Sequence, residues 1–198
     1  MKKNIILTLL VCISFLTGKA QSKYQLVDNF DDNRNGWTEF VSKKAKAVIQ
    51  EGVLLIESKD KKEFAYSFSH LGVSLKDNFE LSCECYVKEI TEDGAFGLIF
   101  NGDNENNLCA FIVEKGNASL HEKRNGTWNL VSADKIKLND KKGQTIQLGI
   151  KNEFGVLSFY VNGMEAISDV TGRINYSGFG FLVMGKQLAK FDNLIVLQ

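Results

Sequence analysis

Proline is absent from the sequence, where about 5% would be usual. Chain reversals therefore fall to Gly and Asn, each present 17 times. Histidine is nearly absent too. His70 and His121 stand at no ligand spacing from a cysteine, which argues against zinc. Two histidines and no nucleophile-elbow motif leave Ser-His-Asp catalysis without support. Neither charge sign predominates, with 24 basic and 24 acidic residues, so the basic footprint of a nucleic-acid binder is missing. Long apolar runs are also lacking. The one near the start, Ile5 to Leu16, is broken by Thr8 and Ser14 and is too short to span a bilayer.

That run has the marks of a secretory signal peptide. Met1-Lys-Lys-Asn4 is basic, and Gly18-Lys-Ala20 supplies small residues for cleavage. Val11 before Cys12 excludes the lipoprotein alternative, which needs a small residue there. Residues 1–20 are expected to be removed, leaving 21–198 as a single domain that is expected to be secreted, periplasmic or cell-surface associated, with no transmembrane anchor. Without Lys2, Lys3 and Lys19, 21 basic residues face 24 acidic ones. An apolar fraction of 44% suits a globular domain. A chain of this size buries roughly 70% of its unfolded surface, so disulfides are not required. Three cysteines remain, Cys83, Cys85 and Cys109. The first two share one face of a strand with Cα atoms about 6.5 Å apart, too far to bridge readily. Either could bridge to Cys109, or all three could be buried free thiols acting as small apolar groups.

The dominant period is 2. Phe79 to Val87 alternates Phe79, Leu81, Cys83, Cys85 and Val87 with Glu80, Ser82, Glu84 and Tyr86. Phe64, Tyr66 and Phe68 share a face, as do Ile146, Leu148 and Ile150, and Leu157, Phe159 and Val161. Asn125-Gly126 and Asn162-Gly163 are hairpin signals. The segment Asn101 to Asn107 reads as a loop. No stretch offers an amphipathic helix of three turns. About 13 short strands point to an all-β, two-sheet antiparallel sandwich. Phe64, Leu81, Phe96, Phe111, Phe159, Phe179 and Phe191 are its expected core. The last strand, apolar on both faces, is expected centrally in a sheet and paired with the first.

Four stretches carry a family resemblance: Asp28 to Trp37 (DNFDDNRNGW), Phe96 to Leu108 with Phe111 to Val113, Leu157 to Gly163 (LSFYVNG), and Gly178 to Phe181 with Phe191 to Val196. In this order they resemble the concanavalin A-like lectin/glucanase superfamily. More narrowly, they look like the laminin-G-like and 3-keto-disaccharide-hydrolase-like (DUF1080-type) jelly rolls of secreted bacterial proteins. The resemblance covers nearly all of residues 24–198 and implies a jelly roll that binds or cleaves glycans, or acts as an interaction module.

Three chemistries compete. Laminarinase-like relatives carry Glu-x-Asp-x-x-Glu on one strand, and none of the 13 Glu here is followed two residues later by Asp. Glu80 and Glu84 share a face but lie about 13 Å apart along the strand, too far for a glycosidase pair unless bent together. The second chemistry is a structural calcium ion. Asp31-Asp-Asn33-Arg-Asn35-Gly36 matches the opening of a calcium loop, but Ser42 holds the twelfth position, which an EF-hand gives to Glu. Asp31, Asn33 and Asn35, with Asp192 of the last strand, are the candidate ligands, and a self-capping turn is the competing reading. Third, glycan sites combine aromatic faces with amides and carboxylates. Glu84, Tyr86, Tyr160 and Asn162 face outward, Gln147 and Lys151 face a common side, and Trp128 is expected at the rim. These residues predict one polar trough if their sheet is concave. The expected function is an exported, non-catalytic glycan-binding module. The alternatives are a hydrolase or lyase of the 3-keto-disaccharide type and a structural or protein-interaction sandwich.

Overall fold

The computed structural model describes residues 24–71, 76, 78–139, 142–172 and 174–198. The expected signal peptide and the start at Gln21 lie outside them. Fifteen strands follow one another among the described residues, without a helix: β1 (Tyr24–Asp28), β2 (Phe40–Val41), β3 (Ala45–Gln50), β4 (Val53–Ser58), β5 (Phe64–His70), β6 (Phe79–Val87), β7 (Ala95–Asn104), β8 (Asn107–Glu114), β9 (Asn117–Arg124), β10 (Thr127–Lys135), β11 (Gln144–Glu153), β12 (Val156–Val161), β13 (Met164–Thr171), β14 (Gly178–Met184) and β15 (Gln187–Leu197). The segment read as a loop from Asn101 is instead the end of β7, reversed at Glu105-Asn106 into β8.

The strands form two antiparallel sheets. One has nine strands in the order β13-β12-β11-β6-β15-β4-β3-β2, with β1 beside β15. The other has six, in the order β10-β9-β8-β7-β14-β5. β15 lies inside its sheet between β6 and β4, and its far end pairs with β1 from Tyr24↔Leu197 to Asp28↔Leu194. Without proline, four of the two-residue reversals rest on a residue-Gly pair with both φ angles positive: Glu51-Gly52, Asn125-Gly126, Phe154-Gly155 and Asn162-Gly163. That is the type I′ geometry whose twist suits antiparallel hairpins.

Alternation places Leu81, Cys83, Cys85, Ile146, Leu148 and Phe159 of the large sheet against Phe96, Phe111, Phe179 and Phe181 of the small one, all at or near zero exposure. The three cysteines are free thiols. Burial pushes the Cys109 thiol up to about 11 and both strand thiols upward, so they behave as apolar filler.

Phe64 departs from expectation. It lies on the outer face of the small sheet, half-buried, stacked on Tyr66, which packs against a second apolar cluster of Ala95, Ile99, Leu108, Ala110, Ile112 and Leu182. Its ring centroid is 6.2 Å from that of Trp128. These residues belong to β5 and β10, the two edge strands, which a flat six-stranded sheet would hold about 24 Å apart. The small sheet therefore curls until its edges meet over its own outer face. Lys123 Nζ sits 5.3 Å from the Phe64 centroid and 5.4 Å from the Trp128 centroid, and donates to the Glu105 carbonyl at 2.8 Å. The outer face of the small sheet is thus concave and filled, and the large sheet lies on the convex side.

Candidate functional site

The outer face of the large sheet is polar. β6 presents Glu80, Ser82, Glu84 and Tyr86; β11 presents Thr145, Gln147, Gly149 and Lys151; β12 presents Ser158 and Tyr160. Strand register sets Tyr160, Gly149 and Ser82 in one row, and Ser158, Lys151 and Glu80 in the next. Gly149 has no side chain, so the middle of the first row is vacant. The result is a depression of about 290 Å³ lined by Glu80, Ser82, Gln147, Gly149, Lys151 and Tyr160. The Tyr160 hydroxyl donates to Glu165 Oε2 at 3.3 Å. Lys151 pairs with Glu153 at 2.9 Å, which raises the lysine pKa. One aromatic ring, a hydroxyl, an amide, an ammonium and carboxylates around a small vacancy are the groups that hold a sugar ring.

The sequence-predicted site residues do not all meet there. Tyr160 lines the depression. Asn162 does not line it but bonds to the backbone of Gln147, which does. At positive φ in the β12–β13 turn, its Oδ1 accepts the Gln147 amide at 2.9 Å, and its own amide donates to the Gln147 carbonyl at 2.8 Å. Its side-chain oxygen is thus committed to holding the trough wall. Glu84 and Tyr86 lie farther along β6. Tyr86 is four residues beyond Ser82, about 13 Å along the strand and two strands away from β12. The expected single trough is therefore corrected: the two tyrosines are apart, and the sheet seen to curl over its outer face is the other one. Trp128 lies on the opposite side of the sandwich, in the closure over the small sheet.

The first loop folds on itself. Asn33 Oδ1 accepts the Trp37 amide at 2.7 Å, while its Nδ2 donates to Glu39 at 2.8 Å and to the Trp37 carbonyl at 2.9 Å. Asn35 Nδ2 donates to the buried Asp28, which also accepts the Trp37 indole N–H at 2.7 Å. Asp31 accepts from Asn29 at 2.7 Å. Among the described residues no three His, Cys, Asp or Glu side chains are grouped to hold a metal ion.

Asp192 does approach this loop. It stands directly opposite Glu84 across the β6–β15 ladder. Burial pushes its carboxyl pKa up; the nearby carboxylates of Glu84, Asp31 and Asp28 add to the rise, and the Asn193 amide partly offsets it. Asn193 Nδ2 also donates to Glu84 at 3.2 Å.

The main omission of the sequence reading is Gly149. A glycine at an outward position of an otherwise regular alternation, Gln144 to Glu153, signals a gap or a close approach, and it was the available clue.

No family model matches the chain, and no curated protein does. Solved structures do. The carbohydrate-binding module CBM66 from Bacillus subtilis is similar at 19% identity and a TM-score of 0.61, over 83% of this chain and 96% of that one. A Bacillus subtilis protein of unknown function with a galectin-like fold is similar at 12% identity and TM-score 0.65, over 89% and 98%. The catalytic domain of a laminarinase, an endo-1,3-beta-glucanase from Thermotoga petrophila, is similar at 11% identity and TM-score 0.60, over 89% and 98%. The fold is the concanavalin A-like jelly roll that the sequence motifs resemble.

Proposed function

We propose that the protein is an exported, non-catalytic glycan-binding module, and that it binds a sugar ring in the Gly149 depression against Tyr160. The observation that carries this reading is the vacancy at Gly149, set in register between an aromatic side chain and the Ser82 hydroxyl. Fold likeness to a carbohydrate-binding module and to a glucanase domain supports glycans as the ligand class. The non-catalytic part is supported by the sequence, in which no Glu is followed two residues later by Asp as in the laminarinase-like strand motif. The export part rests on residues 1–20, and N-terminal sequencing of secreted protein should begin at Gln21.

Two substitutions test the site. Tyr160→Ala should weaken glycan binding about three- to tenfold, the value of one aromatic contact. Gly149→Val should abolish binding while leaving the melting temperature unlowered, because it fills the vacancy with a good strand former. If Tyr160→Ala loses stability and keeps its affinity, the ring serves only to cover Gly149, as aromatic residues do opposite sheet glycines.

One observation favours a second reading, glycoside hydrolysis. Glu84 and Asp192 are cross-strand partners, whose Cβ atoms lie about 4.5–5.5 Å apart in such pairs, and the raised Asp192 suits a general acid. Turnover of a glycan that is lost in Asp192→Asn would establish it. Binding without turnover leaves the module reading.

A further inference from the structure

The hairpin between β11 and β12 reverses through Phe154-Gly155, with φ angles of 53° and 82°. The hairpins at Asn125-Gly126 and Asn162-Gly163 place Asn, a residue tolerant of the left-handed region, at the matching position. A bulky aromatic there is strained. The ring gains nothing in return from packing, being 91% exposed. What holds this backbone is Asn78, whose Oδ1 accepts the Phe154 amide at 2.7 Å. A large apolar ring is thus kept in solvent, in an unfavourable conformation, by a dedicated hydrogen bond.

Its position gives the ring a use. β11 and β12 run from the Gly149–Tyr160 row through Lys151–Ser158 and Glu153–Val156 to this tip. The distance from Gly149 to Phe154 is about 17 Å along the strand, longer than a single sugar ring. Val156, exposed and adjacent to the turn, adds one apolar side chain to the path between the two aromatics, beyond the polar Ser158. Three carboxylates, Glu80, Glu153 and Glu165, flank the path, and the Lys151 ammonium within it is already paired with Glu153.

We propose that Phe154 is a second stacking platform, and that the ligand is a neutral oligosaccharide laid along β11 and β12 from Tyr160 to the hairpin tip. This rests on the reading of the Gly149 depression as a sugar site. Lengthening the ligand adds contact until Phe154 is covered, and an acidic sugar chain meets like charge along the way.

The experiment is calorimetric titration with neutral gluco-oligosaccharides of increasing length, β-1,3-, β-1,4- and α-1,4-linked, beside an oligogalacturonide series. Wild type should show affinity rising with length in a neutral series, and weaker binding of the acidic one that improves with added salt. Phe154→Asn and Phe154→Gly should flatten the rise, by about three- to tenfold for the longest ligand, while the melting temperature holds or increases as strain is relieved. The inference is overturned if both variants keep the full length dependence while Tyr160→Ala still weakens binding, or if the acidic series binds more tightly. Failure of every series to bind wild type, or binding insensitive to Tyr160→Ala, defeats the underlying sugar-site reading and the inference with it.

Discussion

The two outer faces of this sandwich are built on opposite plans. The small sheet turns apolar side chains to both sides and curls until Phe64, Trp128 and Lys123 close over the outer set. The large sheet turns polar side chains outward and leaves a vacancy at Gly149. Their glycines express the same difference. A Cβ on Gly97 of β7 would fall well inside contact distance of the Phe111 carbonyl oxygen, and one on Gly180 of β14 would do the same at Ser67. A Cβ on Gly149 would meet nothing nearer than Tyr160 Cβ, at 3.4 Å. In one sheet glycine permits backbone curvature; in the other it leaves room that folding does not use. Concavity here does not leave a vacancy, because half-buried side chains of the protein itself cover the apolar set on the concave face.

The largest expected effect tests the closed side. Gly97→Ala forces a methyl group against backbone and should cost about 3 kcal/mol, read by urea unfolding; a near-neutral result would mean the curl is not fixed by that glycine. Trp128→Ala opens the closure over the small sheet and should cost about 2 kcal/mol, with increased binding of a hydrophobic dye. Gly149→Ala should move stability by no more than about 1 kcal/mol, toward gain, and a large loss would erase the contrast between the two faces.

A smaller effect belongs to Asp192. Its raised carboxyl pKa means that the folded protein holds this proton more tightly than the unfolded chain does. The stability so gained is complete below the unfolded value, near 3.9, and is lost as pH rises through the higher folded value. At neutral pH the charge is a liability opposite Glu84, and Asp192→Asn should stabilise by about 0.5 kcal/mol. That advantage should shrink as the solution is acidified through this window. The smallest expected effect is that of a chelator, since the Asn33 and Asn35 amides already close the loop. A calcium ion bridging Asp31 and Asp192 would reverse both outcomes. Chelator would then lower the melting temperature, and Asp192→Asn would destabilise in the presence of calcium.

Much of this was legible in the chain. The alternation from Phe79 to Val87 is a local property, and every odd-numbered residue in it is buried as the pattern requires. The place of β15 inside its sheet followed from a final strand apolar on both faces, and its pairing with β1 from the tendency of terminal strands to pair in sandwiches. Curvature was not legible, because it depends on Phe64 meeting Trp128 across six strands, a contact with no local trace. Phe64 and a core phenylalanine look alike in a period-2 pattern. Asn162 was recognisable as a turn residue, but the commitment of its oxygen to Gln147 appears only once register is known. Gly149 was visible as a break in pattern, yet the vacancy becomes a candidate site only beside Tyr160 and Ser82.

The pairing of Tyr24 with Leu197 has a mechanical consequence. The first and last strands run antiparallel, and the outer ends of both lie at the same point of the large sheet. Tension applied between residues 24 and 197 pulls across the ladder, so its hydrogen bonds load one after another as in a zipper. Once β1 peels away, Leu194 and Val196, both fully buried, lose their cover. Under force the sandwich should yield first at this seam, at low load, while β6, β11 and β12 and the depression between them stay intact.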